Sequence, residues 1–367
     1  MRIARTVLCL ACTLMLWAQL VTRAADTPAS LGVVANYAFE TGGLMQQIAR
    51  ERWKTLPTGW QSSSGALGQN AAWETNKSLP WYVEHQKDGR DYIAAGLAFG
   101  DKDLVRWGLK ILEWGWAQMT PDGEFKHPDS YHSASFLVEA TANSILLIEA
   151  SPWRVEFAPR TEAMKPKLLT AARWMIRPDI DALNWPDDFN YPRIFGERRY
   201  AHRRFLDAAA LGQVAVLCHD RPLLWKTTWL VRNGIALQHP DGVNPERDGH
   251  DTSYQAYGLM YACRYYELAA DDAMRAELKP TLDKAFAWLL GRIGPDGKID
   301  GTGNTRTGPA AEPGRNGKPK QLDYYNTGIS LAHWAQLTRN PALETAALRV
   351  FEFHRQSAAT NAVPTPR

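Results

Sequence analysis

Apolar residues recur at three- and four-residue spacing through most long segments of this chain. The segments with the clearest spacing are Leu104–Met119, Phe136–Glu149, Phe205–Cys218, Gln255–Ala269, Leu282–Ile293 and Thr327–Leu337. Such spacing is typical of amphipathic helices. Two alternating runs joined by a tight turn, which would indicate a β-hairpin, do not occur. The pattern therefore predicts an all-α fold.

A short motif separates these helices. Pro-Asp-Gly occurs at 121–123, 240–242 and 295–297, with Pro-Asp-Asp at 186–188 as a variant, and each copy leads through a polar loop to another helix. Proline ends a helix and Asp-Gly makes a turn. Repeated helix pairs bury their apolar faces by stacking. We expect a single domain, residues 25–367, forming an (α/α)6 or (α/α)7 toroid whose polar loops meet on one rim.

The N-terminus has the layout of an export signal. Arg2 and Arg5 precede the apolar run Val7–Val21, and Thr22-Arg23-Ala24 and Ala25 follow, with small residues suited to cleavage. A charged region, a short apolar region and small residues together are typical of a cleaved signal peptide. We expect residues 1–24 to be removed, the mature protein to be secreted or periplasmic, and no membrane-spanning segment to remain.

Removal of that signal changes the charge balance. The chain has 42 Lys and Arg against 39 Asp and Glu, but three of the arginines lie in the signal, which leaves 39 of each. A neutral mature chain has no long-range attraction for nucleic acid. Cys218 and Cys263 remain, and the sequence leaves open whether they pair, as it leaves open the oligomeric state. The 15 tryptophans suit either sugar stacking or a helical core.

Four polar loops carry the candidate chemistry, and they share Tyr, His, Asn and Arg. Their candidate residues are His127, Tyr131 and His132; Trp185, Asn190, Arg199, His202 and Arg203; Glu246, His250 and Tyr254; and Arg306, Tyr324 and Tyr325. The guanidinium group of arginine can bind a carboxylate through two parallel N–H hydrogen bonds. The Gly-rich stretch 300–320, which contains Arg306, is either a lid over the site or a surface insert.

Metal and cofactor signals are weak. His127, Asp129 and His132 offer zinc-type ligands, but the chain has no HExxH or CxxC pattern. It also lacks a GxSxG elbow, a P-loop and a dinucleotide fingerprint. We therefore expect no metal and no cofactor.

These residue types suit one reaction. Cleavage of a uronic-acid polysaccharide by β-elimination removes a weakly acidic proton next to a carboxylate. The site must stabilise the developing enolate with Asn, His, Arg or a protonated acid. It also needs a base, such as Tyr or His, and an acid for the leaving oxygen. A tyrosine base requires a lowered phenol pKa, which a nearby arginine supplies.

An exported chain of helix-pair repeats with such loops resembles the α/α-toroid polysaccharide lyases of the alginate and glucuronan type. The residues that carry the resemblance are Asn190, His202, His250, Tyr254, Arg306 and the pair Tyr324-Tyr325. The resemblance implies an anionic polysaccharide or oligosaccharide substrate. It also implies that Asn190 with Glu246 or His250 neutralises the uronate, that Tyr254 or Tyr324 is base and acid, and that Arg306 tunes the tyrosine. The implied subsite residues are Tyr131, His132, Trp185, Arg199 and Arg203.

Two alternatives remain open from the sequence. A glycoside hydrolase on the same toroid would need two carboxyl groups about 5–9.5 Å apart. Asp187 or Asp188 with Glu246, Asp248 or Asp251 would supply them. A non-catalytic glycan-binding protein would use the same loops without turnover, because a fold alone does not determine activity.

Overall fold

The computed structural model describes residues 62–361, except for 128, 185–199, 248, 309–311 and 315–316. The expected signal peptide and the candidate residues Trp185, Asn190 and Arg199 lie outside the described residues.

Helices dominate the described part of the chain, and it contains no named strand. The α-helices are α1 Gln69–Thr75, α2 Gly89–Phe99, α3 Lys102–Ala117, α4 Ser130–Glu149, α5 Arg154–Met175, α6 Pro178–Asn184, α7 Ala201–Cys218, α8 Arg221–Leu237, α9 Thr252–Leu268, α10 Asp272–Leu290, α11 Tyr324–Thr338 and α12 Pro341–Asn361. A 3₁₀ helix covers Val83–Asp88, directly before α2.

The helices form two layers. Helices α2, α4, α7, α9 and α11 pack side by side in chain order and make the inner layer. Each is followed by a partner that packs against it, and these partners, α3, α5, α8, α10 and α12, make the outer layer. The predicted all-α toroid of helical hairpins is confirmed, and the described residues contain five of these hairpins.

Burial differs between the two layers. In α4 every residue from 131 to 148 is buried, which is the pattern of a helix enclosed on all sides. Part of the tryptophan content fills this core. Trp116 donates its indole N–H to Thr141 Oγ1 at 3.0 Å, and Trp334 donates to Asp283 at 3.2 Å. Cys218 and Cys263 are both free thiols.

The Pro-Asp-Gly turns fix each outer helix against the next one. Gly123, Gly242 and Gly297 all have positive φ, at 99°, 97° and 86°. A Cβ on Gly242 would lie 2.4 Å from the carbonyl oxygen of Lys284 in α10. A Cβ on Gly123 would meet a carbonyl of α5 in the same way, at 2.7 Å. The motif therefore marks the points where one hairpin packs on the next.

Aspartates begin several inner helices. The Asp251 carboxylate caps α9 and the Asp323 carboxylate caps α11, whereas Asp129 stands at the same position of α4 without capping it. A side-chain cap satisfies amide N–H groups that have no partner within the helix. None of the described helices combines the length and apolarity needed to cross a lipid bilayer.

Replacement of Gly242 by alanine should destabilise the protein more than replacement of Gly100. Both glycines have positive φ, but nothing lies within 4 Å of a Cβ on Gly100. Gly100→Ala should cost about 1–2 kcal/mol from the backbone alone. Gly242→Ala should cost about 1–3 kcal/mol more, because its methyl group overlaps α10. Urea denaturation measures both, and equal losses would contradict this packing role.

Candidate active site

An open cleft of about 1180 Å³ lies where inner helices α4, α7, α9 and α11 begin. Its walls come from the 3₁₀ helix, the first turns of these inner helices and the chain segment that precedes α11. Pockets for small ligands usually measure about 300–1,000 Å³. The cleft is therefore large enough for several sugar units.

Positive charge dominates the described cleft wall. The cations that line it are Lys87, Arg203, Arg306, Lys318 and Lys320, and the carboxylates are Glu84, Asp129 and Asp323. Like charges that line a low-dielectric cleft focus their field into it. The described cleft wall therefore has two more cations than carboxylates.

Tyr254 lies in the first turn of α9 with two cations around its phenol. Its hydroxyl oxygen accepts a hydrogen bond from Lys320 Nζ at 2.9 Å. The guanidinium carbon of Arg306 lies 3.6 Å from its ring centroid. The imidazole of His202 is next to it, with the two ring centroids 4.7 Å apart. The phenol of Tyr254 is therefore in contact with one ammonium and one guanidinium group.

Behind Tyr254, a buried carboxylate joins His202 to Arg306. Glu246 is fully buried, and its Oε1 lies 2.6 Å from His202 Nδ1, while its Oε2 accepts from Arg306 Nη1 at 3.2 Å. Burial lowers the pKa of His202 more than Glu246 raises it. The imidazole is therefore neutral near pH 7, with its proton on Nδ1, and its Nε2 is left as an acceptor. Glu246 positions His202, which differs from the direct contact with substrate implied by the resemblance.

A strap, defined as the described part of residues 304–320, lines the cleft beside Tyr254. Glu312 in the strap accepts two hydrogen bonds from Arg306, at 2.9 and 3.0 Å, and further ones from Arg247 and Lys320. Burial raises the pKa of Glu312, but its bonds to Lys320 and Arg306 outweigh this and hold the pKa below its usual range. The strap coincides with the candidate lid. Glu312 and Lys320 carry no local sequence signal, and only the fold identifies them.

Asp251 ties the strap to α9. Its Oδ1 accepts from the backbone N–H groups of Ser253 and Tyr254, both at 3.1 Å. Its Oδ2 accepts from the backbone N–H groups of Arg306 at 2.9 Å and Thr307 at 2.8 Å. One buried carboxylate therefore holds the backbone of Tyr254 close to the backbone of Arg306. Arg306 is almost fully buried, and the nearby Tyr254 and Glu246 raise its pKa although burial opposes this.

Arg203 follows His202 in the first turn of α7 and lines the cleft. Its side chain is largely buried, and burial lowers its pKa to about 10. Arg203 is therefore still a cation at neutral pH, in a setting where charge-assisted hydrogen bonds are strong.

Three more candidate residues line the cleft, namely His132, Tyr324 and Tyr325. The Tyr324 hydroxyl accepts from the backbone N–H of Ile299 at 3.3 Å, and its ring stacks on Phe353 with 5.1 Å between centroids. Burial raises the pKa of Tyr324. These contacts give Tyr324 a structural role.

The structure does not bring the remaining described candidates to the cleft wall. The His250 ring packs on Trp288 and its Nε2 lies 3.2 Å from the carbonyl oxygen of Thr302, because its turn directs the ring towards α10. Tyr131 donates its hydroxyl to Asp207 at 2.9 Å, within the core. His127 Nδ1 accepts from the backbone of the residue at 129.

The carboxylates that a hydrolase would need do not line the cleft where the structure describes them. Glu246 and Asp251 are both fully buried and bonded as described, so neither faces a sugar. Asp187, Asp188 and Asp248 lie outside the described residues.

Comparison with known proteins gives a fold-level likeness only. No protein-family model matches this chain, and no curated protein matches it. One solved structure with a similar fold is that of a polysaccharide lyase. It is 16% identical to this chain, covers 77% of this chain and 75% of its own length, and has a TM-score of 0.44. Because this similarity is low, the residues of the cleft are the basis of the functional argument below.

We expect stability to fall below pH 6.5 partly because of His202. The unfolded imidazole binds a proton at its ordinary pKa of 6.5, whereas the folded one does so only at lower pH. Between the two pKa values the unfolded state holds more protons than the folded state. Stability therefore decreases as the pH falls through this range. His202→Asn keeps a donor for Glu246 but does not titrate. Urea denaturation at several pH values should give a shallower slope for the variant, and identical slopes would rule out this contribution.

Glu312→Gln should loosen the strap. The variant keeps the shape of the side chain but loses the charge that bonds to Arg306, Arg247 and Lys320. Hydrogen bonds to charged groups contribute about 1.5–3 kcal/mol. Hydrogen exchange of the strap amides should accelerate, with Glu344→Gln on the exposed face of α12 as the matched control. Unchanged exchange in both variants would contradict the role of Glu312.

Proposed function

We propose that this protein is an exported polysaccharide lyase that cleaves a uronic-acid-containing polysaccharide by β-elimination. The observation that carries the proposal is Tyr254, whose hydroxyl is bonded to Lys320 and whose ring lies against the guanidinium of Arg306 in an open cleft. Alginate and glucuronan are the preferred substrate types, in keeping with the resemblance drawn from the sequence.

Tyr254 acts as base and acid in this mechanism. Lys320 and Arg306 stabilise a phenolate, which removes the proton next to the uronate carboxylate. The electron pair of that C–H bond forms the new C=C bond, and the bond to the glycosidic oxygen breaks. The phenol then returns its proton to the leaving oxygen. One tyrosine performs both steps when the proton and the leaving group are on the same face of the sugar.

Arg203 neutralises the uronate carboxylate. Removal of the neighbouring proton places further negative charge on that group, and a fixed buried cation stabilises the charge without reorganisation. Arg203 remains charged at neutral pH and lies beside His202 and within the same cleft as Tyr254. His202, held by Glu246, presents Nε2 as an acceptor for a sugar hydroxyl.

Product chemistry tests the reaction class. The purified protein should be incubated with alginate, glucuronan, pectate and glycosaminoglycans while ultraviolet absorbance is recorded. A lyase product absorbs because it contains the new C=C bond. New reducing ends without this absorbance would indicate a hydrolase, and tight oligosaccharide binding without either signal would indicate a glycan-binding protein.

Tyr254→Phe should reduce turnover by about 10²–10⁴-fold, the usual contribution of a general acid or base. Substrate binding should be nearly unchanged, because Arg203 and Lys320 remain. Tyr324→Phe should retain most activity, since its hydroxyl bonds to Ile299. Tyr266→Phe, near the other end of α9, is the matched control outside the cleft. Equal losses at 324 and 254, or none at 254, would refute this assignment.

A further inference from the structure

A second group of polar side chains lies in the same cleft, apart from Tyr254. Glu84 comes from the 3₁₀ helix, Asp129 directly precedes α4, and His132 lies in the first turn of α4. One nitrogen of His132 and one oxygen of each carboxylate lie within 4.8 Å of one another. All three residues line the cleft.

His132 is the unusual member of this group. Its side chain belongs to a residue only 9% exposed, and its Nδ1 has no hydrogen-bond partner among the described residues. A buried polar atom without a partner costs about 1–3 kcal/mol. Most buried polar atoms in proteins are therefore satisfied by protein, water or a bound ion. An ion bound at Nδ1 would remove this cost.

The orientation of Asp129 is a separate observation. Asp251 and Asp323 stand at the same position of their helices and cap them, but the Asp129 carboxylate accepts no capping bond from α4. Its backbone N–H instead donates to His127 Nδ1 at 3.3 Å. The local sequence places an aspartate where a cap is expected, and the fold directs its side chain to Glu84 and His132.

We propose that Glu84, Asp129 and His132 bind one divalent transition-metal ion of the zinc class. One imidazole and two carboxylates suit zinc and its neighbours, whereas calcium and magnesium prefer oxygen ligands alone. This revises the expectation of no metal. The sequence offered His127 as the third ligand, and the fold supplies Glu84 instead.

Metal binding requires the three side chains to move closer together. Zinc lies about 2.0–2.2 Å from nitrogen and oxygen ligands in a tetrahedral arrangement, so two ligand atoms on one ion are about 3.4 Å apart. The three atoms lie within 4.8 Å of one another, so side-chain rotations must bring them together by up to about 1.4 Å. Three protein ligands leave a coordination position open to the cleft, for water or for an oxygen of an anionic sugar.

Arg203 is the competing partner for these carboxylates. Burial lowers its pKa, and the charges of Asp129 and Glu84 act in the opposite direction, so both are close enough to interact with it. If Arg203 alone balances the two carboxylates, no metal is needed. A metal titration separates the two arrangements, because only one of them binds an ion at defined stoichiometry.

The full chain should be stripped with a chelator and titrated with Zn²⁺ by calorimetry and with Co²⁺ by visible absorption. We expect one ion of each metal per chain, with the Co²⁺ spectrum of an imidazole and carboxylate site. His132→Ala and Glu84→Gln should each weaken binding by at least tenfold, which is the lower end of the loss found when even an outer-shell partner is removed. His239→Ala, at a Pro-Asp-Gly turn outside the cleft, should bind as the unaltered chain does.

Absence of stoichiometric binding in the unaltered chain would overturn the proposal, as would unchanged binding in His132→Ala. Circular dichroism checks that each variant is folded. If His132→Ala is unfolded, Glu84→Gln and Asp129→Asn decide the question, since neither removes a helix cap. The readout is metal binding itself, so it holds or fails independently of lyase activity.

Discussion

The arrangement of the cleft depends on the buried carboxylate of Asp251. A carboxylate without partners in a low-dielectric interior is strongly unfavourable. Asp251 meets this constraint by accepting from the first turn of α9 with one oxygen and from the strap with the other. Tyr254 and Arg306 are far apart in the chain, yet this shared acceptor sets the distance between their backbones. The stacking of guanidinium on phenol follows from it.

Arg306 then links two acidic groups that would otherwise repel. Glu246 accepts a hydrogen bond from Nη1 of the Arg306 guanidinium, and Glu312 accepts one from its Nε. Glu312 also accepts hydrogen bonds from Arg247 and Lys320, and Lys320 bonds to the Tyr254 hydroxyl as well. Because these groups are largely shielded from water, their interactions are stronger than at the surface.

The repeating turns explain why distant loops reach one rim. Each Pro-Asp-Gly glycine packs its backbone against the following outer helix, as Gly242 does against Lys284. A repeated contact of this kind places successive hairpins in register. The inner helices α4, α7, α9 and α11 accordingly begin around the same opening, and their first turns supply His132, His202 and Tyr254.

The sequence by itself determined the helices, the turns between them and the grouping of polar loops that includes His202, Tyr254 and Arg306. Periodicity, helix capping and turn chemistry act over a few residues, so local sequence patterns are enough to predict them. The tertiary structure alone decided the partners. It placed Glu246 behind His202, directed His250 away from the cleft and brought in Glu84, Glu312 and Lys320. These choices depend on burial and on the approach of distant segments, and neither is encoded in local spacing.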